Sequence, residues 1–367
     1  MLKKNYKAHL LKFFTKKKAV DFDLKDSKCV LFFRYDRIGD MVITTPVFRE
    51  FKRAYPHTRL IVLASKVNKC VLENNPYVDE LIVNYKNNIL VDFFSLWKLR
   101  RRKIDVCIEF DHSVIPHAII RLKIINPKKT ISVSKDGRYG VSAQQLLIYD
   151  YYTEKPKKTH FRDIWLATLL PFGINSQSRE YDIFCNKLQI NTALTFLEKY
   201  SNKLLIGVNI EGAVAGKKIN FKELNQICEG LYSLSNNIQI IILCNPDKRI
   251  NVQTDISKMG LEFVTLSYKT KSIIDAAAII KNLNFVITPD TSITHIASTF
   301  NIPVITIHEN NFESYQLFAP ISDINKTVFS KSSDNLQDFS VVSLLDAAKE
   351  IIEIEENIPT IFNTYDF

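Results

Sequence analysis

The stretch CVLFFRYDRIGDMVITTPVFREFKRAYP, residues 29–56, decides the fold. It opens with an apolar run, residues 29–34, whose branched and aromatic side chains predict a buried strand. A short polar turn follows, and a helical pattern then continues to about Tyr55. A strand, a tight turn and a helix in this order are typical of the first unit of a parallel, doubly wound sheet.

The same alternation of strand and helix recurs along the rest of the chain. It runs to residue 110 in the first half and starts again at residue 204. The later predicted strands are 59–65, 79–84 and 104–110, then 204–210, 238–244, 261–266, 284–290 and 302–307. The sequence therefore predicts an α/β fold with two parallel sheets and crossover helices.

The domain boundaries are predicted from length and composition. A chain of 367 residues has room for two domains of ordinary size. A polar, lysine-rich segment at 150–162 precedes a predicted helix at 163–170 that closes the first domain. We expect a basic N-terminal extension at 1–27, a first Rossmann-like domain at 28–180 and a second at 181–367.

Composition excludes several classes of protein. No apolar run approaches the roughly 20 residues of a membrane-spanning helix, and no secretory cleavage site follows the basic N-terminus. The six cysteines never form C-x-x-C, which indicates reduced thiols in a cytoplasmic protein. With nine glycines, the chain has neither G-x-G-x-x-G after a strand nor a P-loop. The net charge of +10 favours anionic partners without choosing among them.

Asp40 is the first candidate for chemistry. It follows the first predicted strand, on the sheet edge where ligands bind in open α/β folds. We expect Gly39 to allow a tight turn there. Asp40 itself is either an N-cap of the following helix or a reacting carboxylate, and this segment alone does not decide between the two.

A second candidate segment is FVITPDTSITHIASTFNIPVITI, residues 285–307. A strand is again followed by a polar turn and a helix, whose free amides attract phosphate. Thr291 and Ser292 add hydroxyl groups at that turn, and we expect Asp290 to order it as a cap. His295 lies one helical turn beyond Thr291, either as a ligand contact or as a packed side chain.

A third candidate segment is NIEGAVAGKKINF, residues 209–221. Gly212 and Gly216 permit an open loop close to a ligand. Lys217 or Lys218 could neutralise a diphosphate, or the pair could simply be solvated.

Together these segments resemble glycosyltransferase family 9, the ADP-heptose lipopolysaccharide heptosyltransferases. The matching order is RYDRIGD (34–40), TTP (44–46), NNPYVDE (74–80), PDTSITHIA (289–297) and NIPV (301–304). The resemblance spans about residues 29–307. It implies a GT-B architecture, with two Rossmann-like domains facing a central cleft, the acceptor on the first and the nucleotide sugar on the second.

The resemblance also assigns residues. It implies an inverting transfer with Asp40 as general base, and an acceptor-side loop that includes Arg37 and Gly39. The nucleotide-sugar site is expected to contain Lys217, Lys218, Asp290, Thr291, Ser292 and His295. Lys217, the Thr291 hydroxyl and the amides at the helix start after Asp290 would take the place of a metal ion, so we expect neither a metal nor a cofactor. The implied donor is ADP-heptose, and the implied acceptor is a lipid-linked oligosaccharide of the lipopolysaccharide or lipooligosaccharide core.

Several positions depart from the family. Ser292 stands where glycine is usual, Ile219 where an aromatic residue is common, and Asn245-Pro246 where a glycine-containing turn is frequent. The segment HENN, residues 308–311, replaces a glycine and a polar loop that faces phosphate. Two alternatives therefore stay open: a related transferase with another sugar nucleotide for surface polysaccharide, and a non-catalytic nucleotide-binding homologue.

Other charged segments are given less specific roles. Asp21-Phe22-Asp23 has the form of a metal-binding Asp-x-Asp motif, but it precedes the first strand and is interpreted as linker. KLRRRK, residues 98–103, is interpreted as a solvated helix face, and no nucleic-acid partner is expected. Residues 1–18 form an imperfect amphipathic, basic pattern. Because the resemblance implies a lipid-linked acceptor, we expect this segment to bind peripherally to the anionic inner face of the bacterial inner membrane. A helix packed on the domain, or a basic tail, is the alternative.

Overall fold

The computed structural model describes residues 12–13, 15, 17, 19–84, 89–178, 180–212, 216–336 and 338–357, with backbone alone at 84 and 89–91. The chain divides into two compact units, one ending at Asp182 and the other starting at Ile183, with Gln316–Phe318 counted with the first. The division lies two residues beyond the end of the first domain predicted at 180.

In the described part of the first unit, six strands form one parallel sheet. The strands are β1 (Cys29–Arg34), β2 (Arg59–Ser65), β3 (Glu80–Asn84), β4 (Val106–Glu109), β5 (Lys129–Val133) and β6 (Tyr151–Thr153). The α-helices are α1 (Ile38–Ala54), α2 (Ile89–Arg101), α3 (Pro116–Ile125) and α4 (Phe161–Leu166). The strand order β3-β2-β1-β4-β5-β6 is that of a Rossmann fold.

The described residues of the second unit repeat this plan with six further parallel strands. The strands are β7 (Leu204–Asn209), β8 (Ile238–Leu243), β9 (Val264–Leu266), β10 (Phe285–Pro289), β11 (Val304–His308) and β12 (Asn325–Phe329). The α-helices are α5 (Lys187–Leu197), α6 (Phe221–Leu234), α7 (Arg249–Met259), α8 (Ile273–Ile280), α9 (Ser292–Thr299), α10 (Phe312–Phe318) and α11 (Val341–Asn357). The order β12-β11-β10-β7-β8-β9 is again the Rossmann order, so the predicted pair of Rossmann-like domains is confirmed.

Packing of α1 on the first sheet fixes where the first candidate residue lies. Residues 30–33 of β1 are almost fully buried, as an apolar central strand should be. Phe32 meets Phe48 and Phe51 of α1 edge-on, with ring centroids 5.3 and 5.6 Å apart. These buried aromatic contacts fix the position of α1 along β1, so the first turn of α1 lies at the carboxyl end of that strand.

The segment 150–162, for which the sequence predicted no strand, contains the short edge strand β6. Its residues run from exposed Tyr151 through partly buried Tyr152 to buried Thr153, a pattern too short to identify a strand. The helix predicted at 163–170 begins earlier, at Phe161, and ends at Leu166 before a 3₁₀ helix over Ala167–Phe172. The strands β5 and β12 were not predicted either.

The N-terminal extension is described only in part. The predicted membrane-binding segment, residues 1–18, lies outside the described residues except at 12, 13, 15 and 17. Lys17 forms an ion pair with Asp150 of the first unit, Nζ to Oδ2 2.7 Å. Asp23 caps a 3₁₀ helix at Leu24–Asp26 through the amide of Lys25. No helix among the described residues combines the length and apolar character that crossing a membrane requires.

Candidate active site

Two sheet edges collect the predicted site residues. In each sheet the strand order reverses between two central strands, β1 and β4 in the first and β7 and β10 in the second. Ligands of doubly wound folds bind at the carboxyl ends of such strands. Asp40 follows β1, Lys217 follows β7, and Asp290 follows β10.

Asp40 is not an N-cap, which corrects one of its two interpretations. The helix α1 begins at Ile38, so Asp40 is its third residue and Arg37 occupies the cap position without a side-chain cap bond. The Asp40 carboxylate instead accepts a hydrogen bond from the backbone N–H of Arg37. Gly39 lies inside the first helical turn and does not have a positive φ, so the predicted tight turn at Gly39 is wrong.

Arg34, the last residue of β1, holds the Asp40 carboxylate. Its Nη2 lies 3.6 Å from Asp40 Oδ1, and its Nε donates to the Asp40 carbonyl over 3.2 Å. Its Nη1 lies 3.1 Å from Asp36 Oδ2. The guanidinium also stacks on the ring of Trp165 at 3.7 Å, and its side chain is only 2% exposed. A cation this constrained positions both carboxylates.

The protonation of Asp40 suits a base near neutral pH. Burial raises the pKa of Asp40 from 3.8 to about 6, against the opposing effect of the Arg34 charge. Asp36 adds to the rise because like charges disfavour ionisation. At pH 7 about 90% of such a carboxyl is ionised and can accept a proton.

The TTP motif explains how a proline is accommodated in α1. Thr44 Oγ1 donates to the carbonyl of Asp40 over 2.7 Å. Thr45 Oγ1 donates to the carbonyl of Val42, also over 2.7 Å. Pro46 lacks the N–H that would normally bind that second carbonyl, so the threonine hydroxyl replaces it. The motif thus keeps the turn that carries Asp40 fully bonded.

A buried ionic cluster at the end of β4 was missed by sequence reasoning. Glu109 is fully buried, and its Oε2 accepts from Lys135 Nζ at 2.5 Å and from the Tyr149 hydroxyl at 3.0 Å. Burial alone would raise the pKa of Glu109, but Lys135 and the amide of Asp111 lower it. Burial and the Glu109 charge raise the pKa of Asp111 well above its usual range. The only signal in the sequence was a glutamate inside an apolar strand.

In the second unit, Lys217 lies between two carboxylates. Its Nζ is 3.1 Å from Glu309 Oε2 and 3.5 Å from Asp290 Oδ2. All three side chains are partly exposed, by 18 to 28%. Lys218 is exposed, and no ion pair joins it to another residue within the described ranges. The structure therefore brings Lys217, and not Lys218, to the turn before α9.

The turn before α9 is ordered by Thr291, not by Asp290 as predicted. Thr291 is the N-cap, and its Oγ1 accepts from the amide of Ile293 at 3.2 Å. Asn209, at the end of β7, donates to the same Thr291 Oγ1 at 3.2 Å and to Thr288 Oγ1 at 2.9 Å. Thr291 therefore binds two amides of the first turn, because its carbonyl also accepts from the amide of Thr294 at 3.1 Å. The N-terminus of α9 carries partial positive charge at the carboxyl end of β10, which favours an anion there.

Gly212 has a structural role in the loop after β7. A Cβ at this position would lie 1.7 Å from the carbonyl oxygen of Lys217. The glycine is therefore required where the two ends of the loop touch, and this contact supports the backbone of Lys217.

The two histidines of this region are both buried. His295 lies on the buried face of α9 and is 4% exposed. His308, the last residue of β11, is 5% exposed, and its Nε2 has no hydrogen-bond partner among the described residues. Burial lowers the pKa of His308, and Asp290 and Lys217 act on it with opposite signs. His308 and Glu309 are thus site residues that the sequence flagged only as a departure.

A comparison with protein-family models identifies the family of this chain. Residues 98–348 match the model described as glycosyltransferase family 9 (heptosyltransferase). The chain belongs to glycosyltransferase family 9. It is therefore a glycosyltransferase, as the motifs indicated.

Known relatives of this family 9 chain are distant in sequence and close in fold. The lipopolysaccharide core heptosyltransferase OpsX of Haemophilus influenzae is 23% identical over 289 residues, which cover 77% of this chain and 78% of the relative. A family 9 glycosyltransferase structure from Veillonella parvula aligns with a TM-score of 0.74 at 18% identity, and the alignment covers 92% of this chain and 99% of the other. The ADP-heptose heptosyltransferase II of Escherichia coli aligns with a TM-score of 0.71 at 14% identity, and the alignment covers 89% of this chain and 99% of the other. These likenesses confirm the predicted fold class.

The next question is whether side chains of the chain could hold a metal ion. The described part of this family 9 chain contains no group of three or more His, Cys, Asp or Glu side chains placed to hold a metal ion. Beside Asp40 and at the turn before α9 the cations are Arg34 and Lys217, each in contact with two carboxylates.

Proposed function

We propose that the chain transfers heptose from ADP-heptose to the core of lipopolysaccharide or lipooligosaccharide, with inversion and with Asp40 as general base. The observation that carries this proposal is the environment of Asp40. A partly buried carboxyl with a pKa of about 6, fixed by Arg34, is ionised at neutral pH and yet basic enough to take a proton. The family membership and the printed names of OpsX and of the Escherichia coli enzyme support the donor and the acceptor.

The proposed reaction is a single displacement. Asp40 takes the proton of an acceptor hydroxyl while that oxygen forms a bond to the anomeric carbon. The bond between this carbon and the diphosphate oxygen breaks on the opposite face, and ADP leaves with the electron pair. Because one displacement occurs, the product has the inverted anomeric configuration.

The leaving diphosphate would be bound by Lys217 and by the N-terminus of α9. Lys217 lies in the loop after β7, α9 begins just after β10, and Thr291 fixes the start of that helix. Lys217 is held by two partly exposed carboxylates, so phosphate oxygens can replace Asp290 or Glu309 at its Nζ. His308 Nε2 is a further candidate contact.

A donor screen with purified protein tests this function directly. ADP-heptose should be consumed with a deacylated core acceptor, and NMR of the product should show the inverted linkage. Activity should persist in EDTA, since Lys217 and the α9 amides would carry the charge of the leaving group. Retention of configuration, or a strict need for an added divalent ion, would contradict the mechanism.

The acceptor is proposed to be lipid-linked and reached at the inner face of the inner membrane, with residues 1–18 contributing to binding. Deleting 1–18 should reduce activity on a lipid-embedded acceptor and spare activity on a deacylated one. Equal losses on both acceptors would show that the segment belongs to the fold. The Lys17–Asp150 ion pair supports this second outcome, because it joins the segment to the first unit.

A second candidate is transfer from another sugar nucleotide, which the Lys217–Glu309 ion pair favours. Glu309 lies in the HENN segment, where family members were expected to carry glycine, and it neutralises part of the Lys217 charge. Glu309→Gln should therefore tighten ADP binding by calorimetry. In the donor screen, consumption of a hexose nucleotide in place of ADP-heptose would establish this candidate.

A further inference from the structure

The outer face of α2 exposes three aromatic side chains. Phe93, Phe94 and Trp97 are 47%, 59% and 39% exposed. On the opposite face, Leu96 and Leu99 are buried in the first unit at 3% and 0% exposure. At 100° per residue the three rings fall within an arc of about 100°. They therefore form one apolar stripe, which we call the α2 stripe.

Basic residues flank the α2 stripe on both sides. At helical spacing Arg100 lies beside Phe93, Lys98 lies beyond Phe94, and Arg101 lies between the rings. The guanidinium of Arg101 stacks on the ring of Trp97 at 3.5 Å. All three basic residues are exposed, and in the described ranges none of them forms an ion pair with a carboxylate.

The one acidic side chain of α2, Asp92, is neutralised by an ion pair and does not reduce the charge of this surface. Asp92 Oδ2 accepts from Arg121 of α3 at 3.0 Å, and both side chains are mostly buried. Arg102, just after the helix, is paired with Glu80. The exposed surface of α2 thus combines aromatic rings with unneutralised positive charge.

We propose that the α2 stripe and its basic border dock on the surface of an anionic phospholipid bilayer. Aromatic rings favour the boundary between headgroups and acyl chains, and each lysine or arginine near an anionic leaflet contributes about 1 kcal/mol. A second copy of this chain fits poorly, because a symmetric contact would place Arg100 and Arg101 against their own equivalents. The interpretation of residues 98–103 as a merely solvated face omitted the rings beside them.

This docking surface belongs to the unit that carries Asp40, and it goes beyond the proposed reaction. It lies outside residues 1–18, so the two segments can be tested separately. Docking through α2 would hold the unit that carries the proposed general base at the membrane in which a lipid-linked acceptor is embedded, whichever sugar is transferred.

Tryptophan fluorescence offers a site-specific readout. The chain has two tryptophans, and the second, Trp165, is 2% exposed under Arg34. With vesicles of phosphatidylcholine and phosphatidylglycerol, the full chain should show a blue shift of Trp97 emission and quenching by lipids brominated near the headgroup. Vesicles of phosphatidylcholine alone should give neither. Trp97→Phe should still sediment with anionic vesicles but lose the spectral change.

Substitutions then separate the rings from the charges. Phe93→Ser with Phe94→Ser, and separately Lys98→Glu with Arg101→Glu, should each weaken anionic vesicle binding by about tenfold or more. Exposed residues of the second unit supply matched controls: Leu188→Ser at 73% exposure and Lys258→Glu at 65% side-chain exposure should bind as the unchanged chain does. Activity on a deacylated acceptor should be unchanged in all four, which separates this proposal from the proposed reaction.

Several results would overturn the proposal. One is vesicle binding with unshifted Trp97 emission, and another is equal binding by the ring, charge and control variants. A third is a Trp97 spectrum already blue-shifted without vesicles, because the stripe would then be covered within the chain. A fourth is a dimer that the same substitutions dissociate while vesicle binding is absent, which would identify a second copy as the occupant.

Discussion

Replacing Arg34 by methionine should move the acidic limb of the pH–rate profile to higher pH. The proposed base must be ionised to act, so kcat/KM rises with pH until Asp40 has lost its proton. Arg34 lies 3.6 Å from Asp40 Oδ1 and opposes the rise in the pKa of that carboxyl, which is about 6 in its presence. Removing this cation leaves the effects of burial and of the Asp36 charge opposed only by the charge and the backbone N–H of Arg37.

The size of the shift follows from the distance. A unit charge at 3.6 Å contributes about 1 kcal/mol in water and about 5 kcal/mol at an effective dielectric of about 20. One pH unit corresponds to about 1.4 kcal/mol, so the limb should move by about 1 to 3 units. The Arg34 side chain is 2% exposed and that of Asp40 17%, which favours the larger value because water screens the pair poorly.

The assay is kcat/KM on a deacylated acceptor from about pH 5 to 9, with thermal unfolding as the check on folding. Arg34→Lys keeps the charge and should leave the limb near its original position, with a lower plateau because the two-pronged contact is lost. A limb that stays near pH 6 in folded Arg34→Met protein would refute the reasoning. Equal shifts in both variants would show that geometry, not charge, sets the pKa of Asp40.

Three further predictions follow from single positions. Asp40→Asn should abolish transfer, keep ADP binding within a few-fold, and stabilise the fold at pH 7. In the unchanged chain the pKa of Asp40 rises from 3.8 to about 6 on folding, so the free energy of unfolding falls as pH rises through that window. The loss is on the order of 3 kcal/mol, and urea unfolding of the two proteins measures it. Lys217→Ala should weaken ADP binding about tenfold or more by calorimetry, and exposed Lys218→Ala should not. Gly212→Ala should weaken ADP binding with unchanged circular dichroism, because its Cβ would meet the Lys217 carbonyl.

The sequence predicted the central strands of both sheets because their apolar runs are long and unbroken. It missed β6 and β12, whose positions at the sheet edges leave their side chains partly exposed. It missed β5 as well, where lysine and threonine begin a five-residue strand. It also placed Asp40 at a helix start, since nothing in Ile38-Gly39-Asp40 shows that α1 begins two residues earlier.

The candidate site was predicted where a local motif carried it and was missed where neighbours come from distant segments. Asp40 and Lys217 each follow a strand in a recognisable motif. Glu309 is 92 residues beyond Lys217, and their ion pair exists only because the strands that precede them meet in one sheet. Arg34 and His308 did leave a signal, since each is a polar residue that ends a buried apolar strand.

Both sheet edges carry a cation between two carboxylates, but the two cations differ in their exposure to solvent. At each, a cation lies between two carboxylates: Arg34 with Asp36 and Asp40, and Lys217 with two residues of its own unit. The Arg34 side chain is 2% exposed and stacked on Trp165, so a ligand has little access to its guanidinium. Lys217 is 18% exposed, and its ammonium can exchange one anion for another at small cost. Burial therefore makes Arg34 a permanent positioning group for the proposed base, whereas exposure makes Lys217 suited to the proposed diphosphate, a charge that arrives and leaves with each turnover.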